Sequence, residues 1–381
     1  MPDAPIEVLL LSSVSGVHLE NVESWLSSAG LRTEIVALLD HDAWRQIMAG
    51  GGVRRALTRL AATCAFPFLA LWQSIHAKPD VIIVVTNPYF LPSVVLATRR
   101  LHGAKVIPLI YDLFPDVLTH QRRGRRYDIV DAVFGRANEI LFRRSDGVVF
   151  IGDRIARHAQ DRYGRVAHPT TIAAGGDFPD LEAHHECAAE DLLAWVGDRT
   201  LVSYVGNLGT AHDWQTMVEG VLHLDPEEHA FVCAAIGSGS RQLQRLRSVE
   251  HVKLVPPLSG SRWATLLRRT DIFVVTQRAR HRTSCTPSKL FGALAAECAI
   301  LAVAPRDSDL SDIVTETACG VVVQAGDAAG FAEAIGMMSR REALSKYKRA
   351  ALHAMQTRYG PATLRVKWST YVASIARRDE A

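Results

Sequence analysis

The chain of 381 residues lacks several features that would settle its class at once. Its six cysteines, Cys64, Cys187, Cys233, Cys285, Cys298 and Cys319, form no CxxC pair, so zinc-ribbon and dithiol motifs are excluded. Scattered through apolar runs such as AFVCAAIG, they read as reduced, buried small hydrophobes in a reducing compartment. Formal net charge is only +3, less basic than a protein living on nucleic acid. No run reaches the ~18 uncharged apolar residues of a membrane span. No basic segment precedes the apolar stretch near the start, so a secretory signal is not expected. No His, Cys, Asp or Glu cluster has metal-ligand spacing, and the GxGxxG dinucleotide fingerprint is missing. The expectation is a cytoplasmic protein with no metal and no bound cofactor.

What is present is an α/β alternation from end to end. In the first half, IEVLLLSS (6–13), TEIVALL (33–39), DVIIVVTN (80–87), KVIPLIYD (105–112) and GVVFIG (147–152) read as strands. In the second, LVSYVGN (201–207), AFVCAAIG (230–237), VKLVPPL (252–258), DIFVVTQ (271–277), AILAVAP (299–305) and GVVVQAG (320–326) do. Amphipathic helical stretches fill most of the gaps. The apolar runs are continuous, as in strands covered on both faces, which predicts doubly wound parallel sheets. The length fits two domains, and the pattern weakens over 165–199. The expected organisation is a first domain over 1–170, a linker over 171–199 and a second domain over 200–355. A helix over 356–381 then crosses back to the first domain. Ligands of open parallel sheets sit beyond the carboxyl ends of the strands, so two such domains are expected to face a cleft.

The strand-to-helix turns carry the chemistry. SSVSGVH offers Gly16 before a helix, where a tight turn and a ligand loop remain equal readings. IYDLFPD ends a buried strand with Asp112, followed by Asp116; an acid there either points at a ligand or caps the next segment. VGNLGTAHD (Gly206, Asn207, Gly209) and IGSGS (Gly237) are glycine turns that can cradle a phosphate. In TPSKLFGALAAEC, Thr286 is a natural N-cap and Pro287 a natural first helical residue. The N–H groups of Ser288, Lys289 and Leu290 are then free at the positive helix end. A lysine there is unfavourable unless an anion neutralises it. Arg278, Arg280 and Arg282 precede it in one loop. Together these predict a diphosphate site. DSD (307–309) reads as a cap rather than a metal motif. The basic RRGRR (122–126) is a solvated face or an anionic-lipid contact. The segment 54–78, apolar with a basic start, is either core or an element facing a membrane surface or an acceptor.

In this order the motifs YVGNLGTAHD, AAIGSGSRQLQ, VKLVPPLS, ATLLRRTDIFVV, TPSKLFGALAA and CGVVVQAGDAAGFAEAI resemble the nucleotide-sugar half of GT-B glycosyltransferases of the broad family 4 class. The nearest likeness is to bacterial amino-sugar transferases of surface polysaccharide synthesis. KPDVIIVVTNP and VIPLIYDLFPD extend the resemblance over nearly the whole chain. It implies two Rossmann-like domains and transfer of a sugar from a nucleoside-diphosphate donor, with retention and without a metal. Lys289 would hold the donor diphosphate, and Asn207 and Gly209 would approach the phosphates. Gly16 would lie near the reaction centre; Asp112 and Asp116 would meet sugar or acceptor. The acceptor is expected to be a lipid-linked precursor or a small metabolite, with peripheral contact at the inner membrane face in the first case. Two departures stand out. The family's paired glutamates fall at Ser284 and Gly292, and its Arg and Lys after the first glycine turn are replaced near Asn207 and Thr210. Glu297 stands where the AAG turn usually has glycine. The departures keep a non-catalytic sugar-nucleotide-binding partner open as an alternative, and a sugar-nucleotide epimerase as a remoter one.

Overall fold

A computed structural model of the chain describes residues 5–40, 43–44, 46–47, 52–119, 125–175, 190–258 and 260–378. The chain divides into two compact units, Met1–Ala174 with Pro361–Ala381, and Gly175–Gly360.

The first unit holds β1 (Glu7–Leu11), β2 (Val14–Ser15), β3 (Arg32–Val36), β4 (Leu39–Asp40), β5 (Val81–Val85), β6 (Lys105–Ile110), β7 (Val148–Phe150) and β8 (Pro169–Thr171). Its six-stranded sheet runs β3-β1-β5-β6-β7-β8, while β2 and β4 pair separately. Every pairing is parallel. The central strand β5 (VIIVV) is buried at all five positions, whereas the edge strand β3 (RTEIV) alternates exposure. Helices cover a central strand on both faces, and an edge strand keeps one side wet. The order, second-first-third-fourth-fifth-sixth, reverses direction between β1 and β5.

The second unit holds β9 (Thr200–Asn207), β10 (His229–Ile236), β11 (Val252–Leu254), β12 (Ile272–Thr276), β13 (Ala299–Val303) and β14 (Gly320–Val323). They form one parallel sheet in the order β11-β10-β9-β12-β13-β14. This is the Rossmann order, and its switch point lies between β9 and β12.

Two borders differ from the sequence expectation. The expected end of the first domain at 170 falls inside β8, which pairs with β7 through Val148, Val149 and Phe150. Pro169 is tolerated there because an edge strand can do without one N–H. The return to the first unit begins at Pro361, since Met355–Tyr359 is a π-turn that continues the helix Arg341–Ala354. In the last helix, Pro361–Ala376, the residues Leu364, Trp368, Val372 and Ile375 are fully buried in the core of the first unit. Each such side chain contributes about 1.5–3 kcal/mol, which anchors the crossover. Cysteines 233, 298 and 319 are buried as expected, but Cys64 is exposed.

Glu297 adopts φ +59°, the left-handed region where glycine is at no disadvantage. Its side chain is exposed. Glu297→Gly is therefore expected to stabilise the protein by about 1 kcal/mol, read as a melting temperature higher by about 2–4 °C. A lower melting temperature would show that the turn is not strained.

Candidate functional site

At the switch point of the second unit, the carboxyl ends of β9 and β12 and the start of the helix Lys289–Ala295 converge on one ammonium group. Lys289 Nζ donates to Tyr204 Oη at 2.7 Å, to the Asn207 carbonyl at 2.8 Å and to His212 Nε2 at 3.1 Å. It also lies 4.7 Å from the centre of the Tyr204 ring, a cation–π distance. The acceptors are consistent with one another. His212 Nδ1 donates to the Thr276 carbonyl at 2.7 Å, so the neutral ring keeps Nε2 free to accept. Burial and the neighbouring Lys289 push the His212 pKa down to about 3, which holds it neutral. Tyr204 Oη passes its own proton to the Asn207 carbonyl at 2.9 Å.

All three ammonium protons thus reach neutral acceptors, and among the described residues no carboxylate pairs with the charge. Burial pushes the Lys289 pKa down to about 7. A buried cation without a counter-charge is costly unless a ligand supplies one. Arg278 touches the same cluster, donating through Nε to the His212 carbonyl at 3.0 Å. Its terminal guanidinium nitrogens have no partner among the described residues.

The glycine turns pack on each other beside this lysine. Gly206 has φ +121° and Gly237 φ +101°. A Cβ on Gly237 would sit 2.2 Å from Asn207 Oδ1, so only glycine lets the two turns touch. Leu208 N–H donates to the Ile236 carbonyl at 2.7 Å and Gly239 N–H to the Leu208 carbonyl at 2.8 Å, locking the pair. Gly209 lies alongside, with Asn207 as its nearest neighbour.

Several expected roles change. Thr286 is not the N-cap: it donates to Asp309 Oδ2 at 3.2 Å, and the helix begins at Lys289 with Ser288 before it. Pro287 accepts from the Leu290 N–H, so that amide is not free. The Leu290 amide therefore does not explain the lysine; its stem carries the charge to the end of β9. Arg282 pairs with Asp307 at 2.7 Å on the exposed surface and takes no part in the cluster. Ser308 caps the helix Asp309–Thr317 through the Ser311 N–H, as the DSD reading expected. Residues 122–124 of RRGRR lie outside the described residues, and Arg125 and Arg126 open the helix Arg125–Arg144. Ser284 is fully buried under the loop. A Cβ on Gly292 would stand 3.2 Å from the Trp263 ring. Tyr204 and His212 escaped sequence reasoning as partners of Lys289. Tyr204 lies in an apolar strand and looks like core, while His212 stood in the quoted GTAHD turn as the available signal.

In the first unit, Gly16 sits before the helix Val17–Ser28 with an extended φ of −124°. Nothing lies within 4 Å of a Cβ there, so no internal contact demands a glycine. His18 Nδ1 lies 2.8 Å from Tyr111 Oη, and His18 Nε2 is buried without a partner. Burial pushes the His18 pKa down to about 4. Asp112 follows Tyr111 at the end of β6 and accepts no hydrogen bond among the described residues. Its carboxyl group is ringed by protein, which raises its pKa to about 6. Asp116 has a different part from the one expected. It is fully buried and accepts from His158 at 2.7 Å, Tyr163 at 2.6 Å and Arg162, so it is a structural anchor. Its partners hold its carboxyl below the usual range.

Residues 199–340 match the family model of glycosyl transferases, group 1. The chain is 24% identical over 272 residues to a probable glycosyltransferase, WbjE, of Pseudomonas aeruginosa, which covers 67% of this chain. The match spans 65% of that relative's length. Among solved structures, sucrose-phosphate synthase from Thermosynechococcus elongatus superposes with a TM-score of 0.72 at 13% identity, covering 97% of this chain and 99% of the other. HepE from Anabaena, solved with UDP-glucose, gives 0.70 at 12% identity, covering 97% and 100%. The chain has the GT-B glycosyltransferase fold. The segment that matches the family model contains the whole Lys289 cluster, from Tyr204 and Asn207 to Lys289 itself.

The GT-B fold leaves Asp112 with an unpaired acid whose folded-state pKa is near 6, against 3.8 ordinarily. The penalty is complete above pH ~6 and gone below pH ~4. Asp112→Asn is expected to raise the melting temperature at pH 8, by roughly 1–2 kcal/mol of stability after allowing for partial exposure. The gain should vanish near pH 3.5–4. An equal gain at both pH values would show that the carboxyl group is not perturbed.

Proposed function

We propose that this protein transfers a sugar from a nucleoside-diphosphate sugar to an acceptor, with the donor diphosphate at Lys289. The observation that carries the reading is a half-buried ammonium with three neutral acceptors and, among the described residues, no carboxylate partner. The matching family, the fold and a neighbour solved with UDP-glucose support it.

The chemistry follows from the charges. As the bond from the sugar C1 to the diphosphate breaks, negative charge grows on the leaving oxygen and the sugar takes on oxocarbenium character. Lys289, with Arg278 beside it, stabilises that charge in the transition state. The role falls to these cations, so the reading needs no metal. A leaving phosphate oxygen takes the acceptor's proton, which fits front-side attack with retention and requires no strong side-chain base. On this reading a substrate hydroxyl is assigned to Asp112, whose carboxylate accepts no hydrogen bond among the described residues. The acceptor is a lipid-linked precursor or a small metabolite.

One observation favours a second reading, a non-catalytic sugar-nucleotide-binding subunit. Both family carboxylates are absent, Ser284 being fully buried and Gly292 shadowed by Trp263.

A thermal-shift panel of UDP, GDP, ADP, dTDP and CDP on wild type and Lys289→Met tests the site. At 100 times its dissociation constant, the right nucleotide adds about 2.7 kcal/mol, several degrees in melting temperature. The variant should lose that shift. Without ligand it should melt no lower than wild type, because it no longer buries a cation. Its advantage shrinks as pH rises above about 7 and is gone only beyond the ordinary lysine value of 10.5, where the lysine is neutral in both states. A variant that retains the full shift moves the donor elsewhere; no shift with any nucleotide removes the transferase reading. Incubating the identified UDP- or other donor with candidate acceptors, with and without EDTA, then separates enzyme from binder. The anomeric configuration of the product decides retention.

A further inference from the structure

The segment 54–78, for which core was one reading, is mostly on the outside. The continuous helix Gly52–Ala77 is mostly exposed and, contrary to the sequence expectation, is among the described residues long and apolar enough by length and composition to cross a membrane. Large apolar side chains on it face solvent: Val53 is 75% exposed, Phe68 76% and Trp72 53%. Soluble surfaces rarely leave a contiguous stripe of this kind uncovered.

The stripe is a single face. Val53, Leu57, Leu60, Cys64, Phe68 and Trp72 recur at intervals of four, three, four, four and four residues. An unbroken α-helix would rotate about 100° beyond five turns between Val53 and Trp72 and carry the tryptophan off the face. The π-turn at Ala61–Ala65 accommodates one extra residue and absorbs that step. The opposite face fastens the helix to its domain: Phe66, Pro67, Ala70 and Ser74 are buried, with Phe66 and Ala70 in the first unit's core. A helix held in this way lies along a surface and does not span a bilayer.

Charge selects what covers it. Between Asp42 and Asp80 the sequence contains no acidic residue. Arg54 and Arg59 project on the two sides of the stripe, and both are exposed. The short helix Arg99–His102, packed against Phe66–Ala77, adds exposed Arg100 and Leu101. An apolar face flanked by cations matches a bilayer interface bearing anionic headgroups. A second copy of the same face would offer these arginines no carboxylate.

We propose that the face Val53–Trp72 docks the first unit in the plane of an anionic phospholipid bilayer, its apolar side chains entering the interface and its arginines meeting the headgroups. The inference does not rest on the transferase reading, and its test needs no donor or acceptor.

The full chain is floated with vesicles of phosphatidylcholine containing about one third phosphatidylglycerol, and with phosphatidylcholine alone. Wild type should float with the anionic vesicles and several-fold less with the neutral ones. Leu57→Glu/Phe68→Glu should lose about tenfold in binding at an unchanged melting temperature. Arg54→Gln/Arg59→Gln should lose the anionic preference. Trp72→Gln, a single exposed substitution, repeats the test should the double glutamate variant fail to fold. Absence of flotation with anionic vesicles, or flotation unchanged by these substitutions, overturns the proposal. A dimer in sedimentation that dissolves on Phe68→Glu assigns the face to a second copy and overturns it as well. Loss of vesicle binding with an intact nucleotide shift separates failure here from failure of the donor site.

Discussion

An ammonium group without a counter-charge organises the second unit. Lys289 is half-buried, and three neutral acceptors take its protons. Each acceptor is fixed from elsewhere: the Asn207 carbonyl by the turn after β9, His212 by the end of β12, and Tyr204 by its place in the strand interior. The cation is thus pre-positioned, and an anion arriving there would offset the cost of desolvating it. Neutral partners suit this better than carboxylates would. An aspartate beside Lys289 would stabilise the empty protein and repel a diphosphate.

The sheet order places this charge. In a doubly wound sheet the helices leave in opposite directions on either side of the switch point, and a crevice opens between them. Here β9 and β12 flank that point, and Asn207 and Thr276 are their last residues. Gly237 works one strand further along. Its bare Cα lets the turn after β10 rest on the Asn207 side chain, which fixes the turn that presents the carbonyl to Lys289.

Much of this was legible in the sequence, because a strand buried on both faces must be a continuous apolar run. VIIVV, AFVCAAI and AILAV could be read in that way and are strands. The edge strand β8 could not, since Pro169 and two threonines have the composition of a linker and earn their place only through the partner strand. Lys289 was legible as an anomaly, but for the wrong local reason. Helix propensity put the N-cap at Thr286, whereas the tertiary hydrogen bond to Asp309 takes that hydroxyl away. Choosing between Arg278 and Arg282 was beyond sequence, because the choice depends on Asp307 lying across the loop from Arg282. The exposed helix Gly52–Ala77 was ambiguous for a similar reason. Its apolar stripe is the same in sequence whether a core or a bilayer covers it, and only the burial of Phe66, Ala70 and Ser74 on the other face tells them apart.

The missing carboxylates have different physical explanations. Ser284 lies in a loop whose interior is closed by Gln277, which donates to the His281 and Cys285 carbonyls at 2.9 and 2.7 Å. A glutamate at 284 would have to bury its charge beneath that loop. At position 292 the obstacle is Trp263, whose ring lies 3.2 Å from where a Cβ would begin. A side chain there requires the indole to give way by a few tenths of an ångström. The helix that carries Lys289 therefore keeps its cation while the side chain one turn later has given way to an aromatic surface. On the reading proposed above, contacts beyond a diphosphate would come from shape and stacking rather than from a carboxylate, while Lys289 keeps its place.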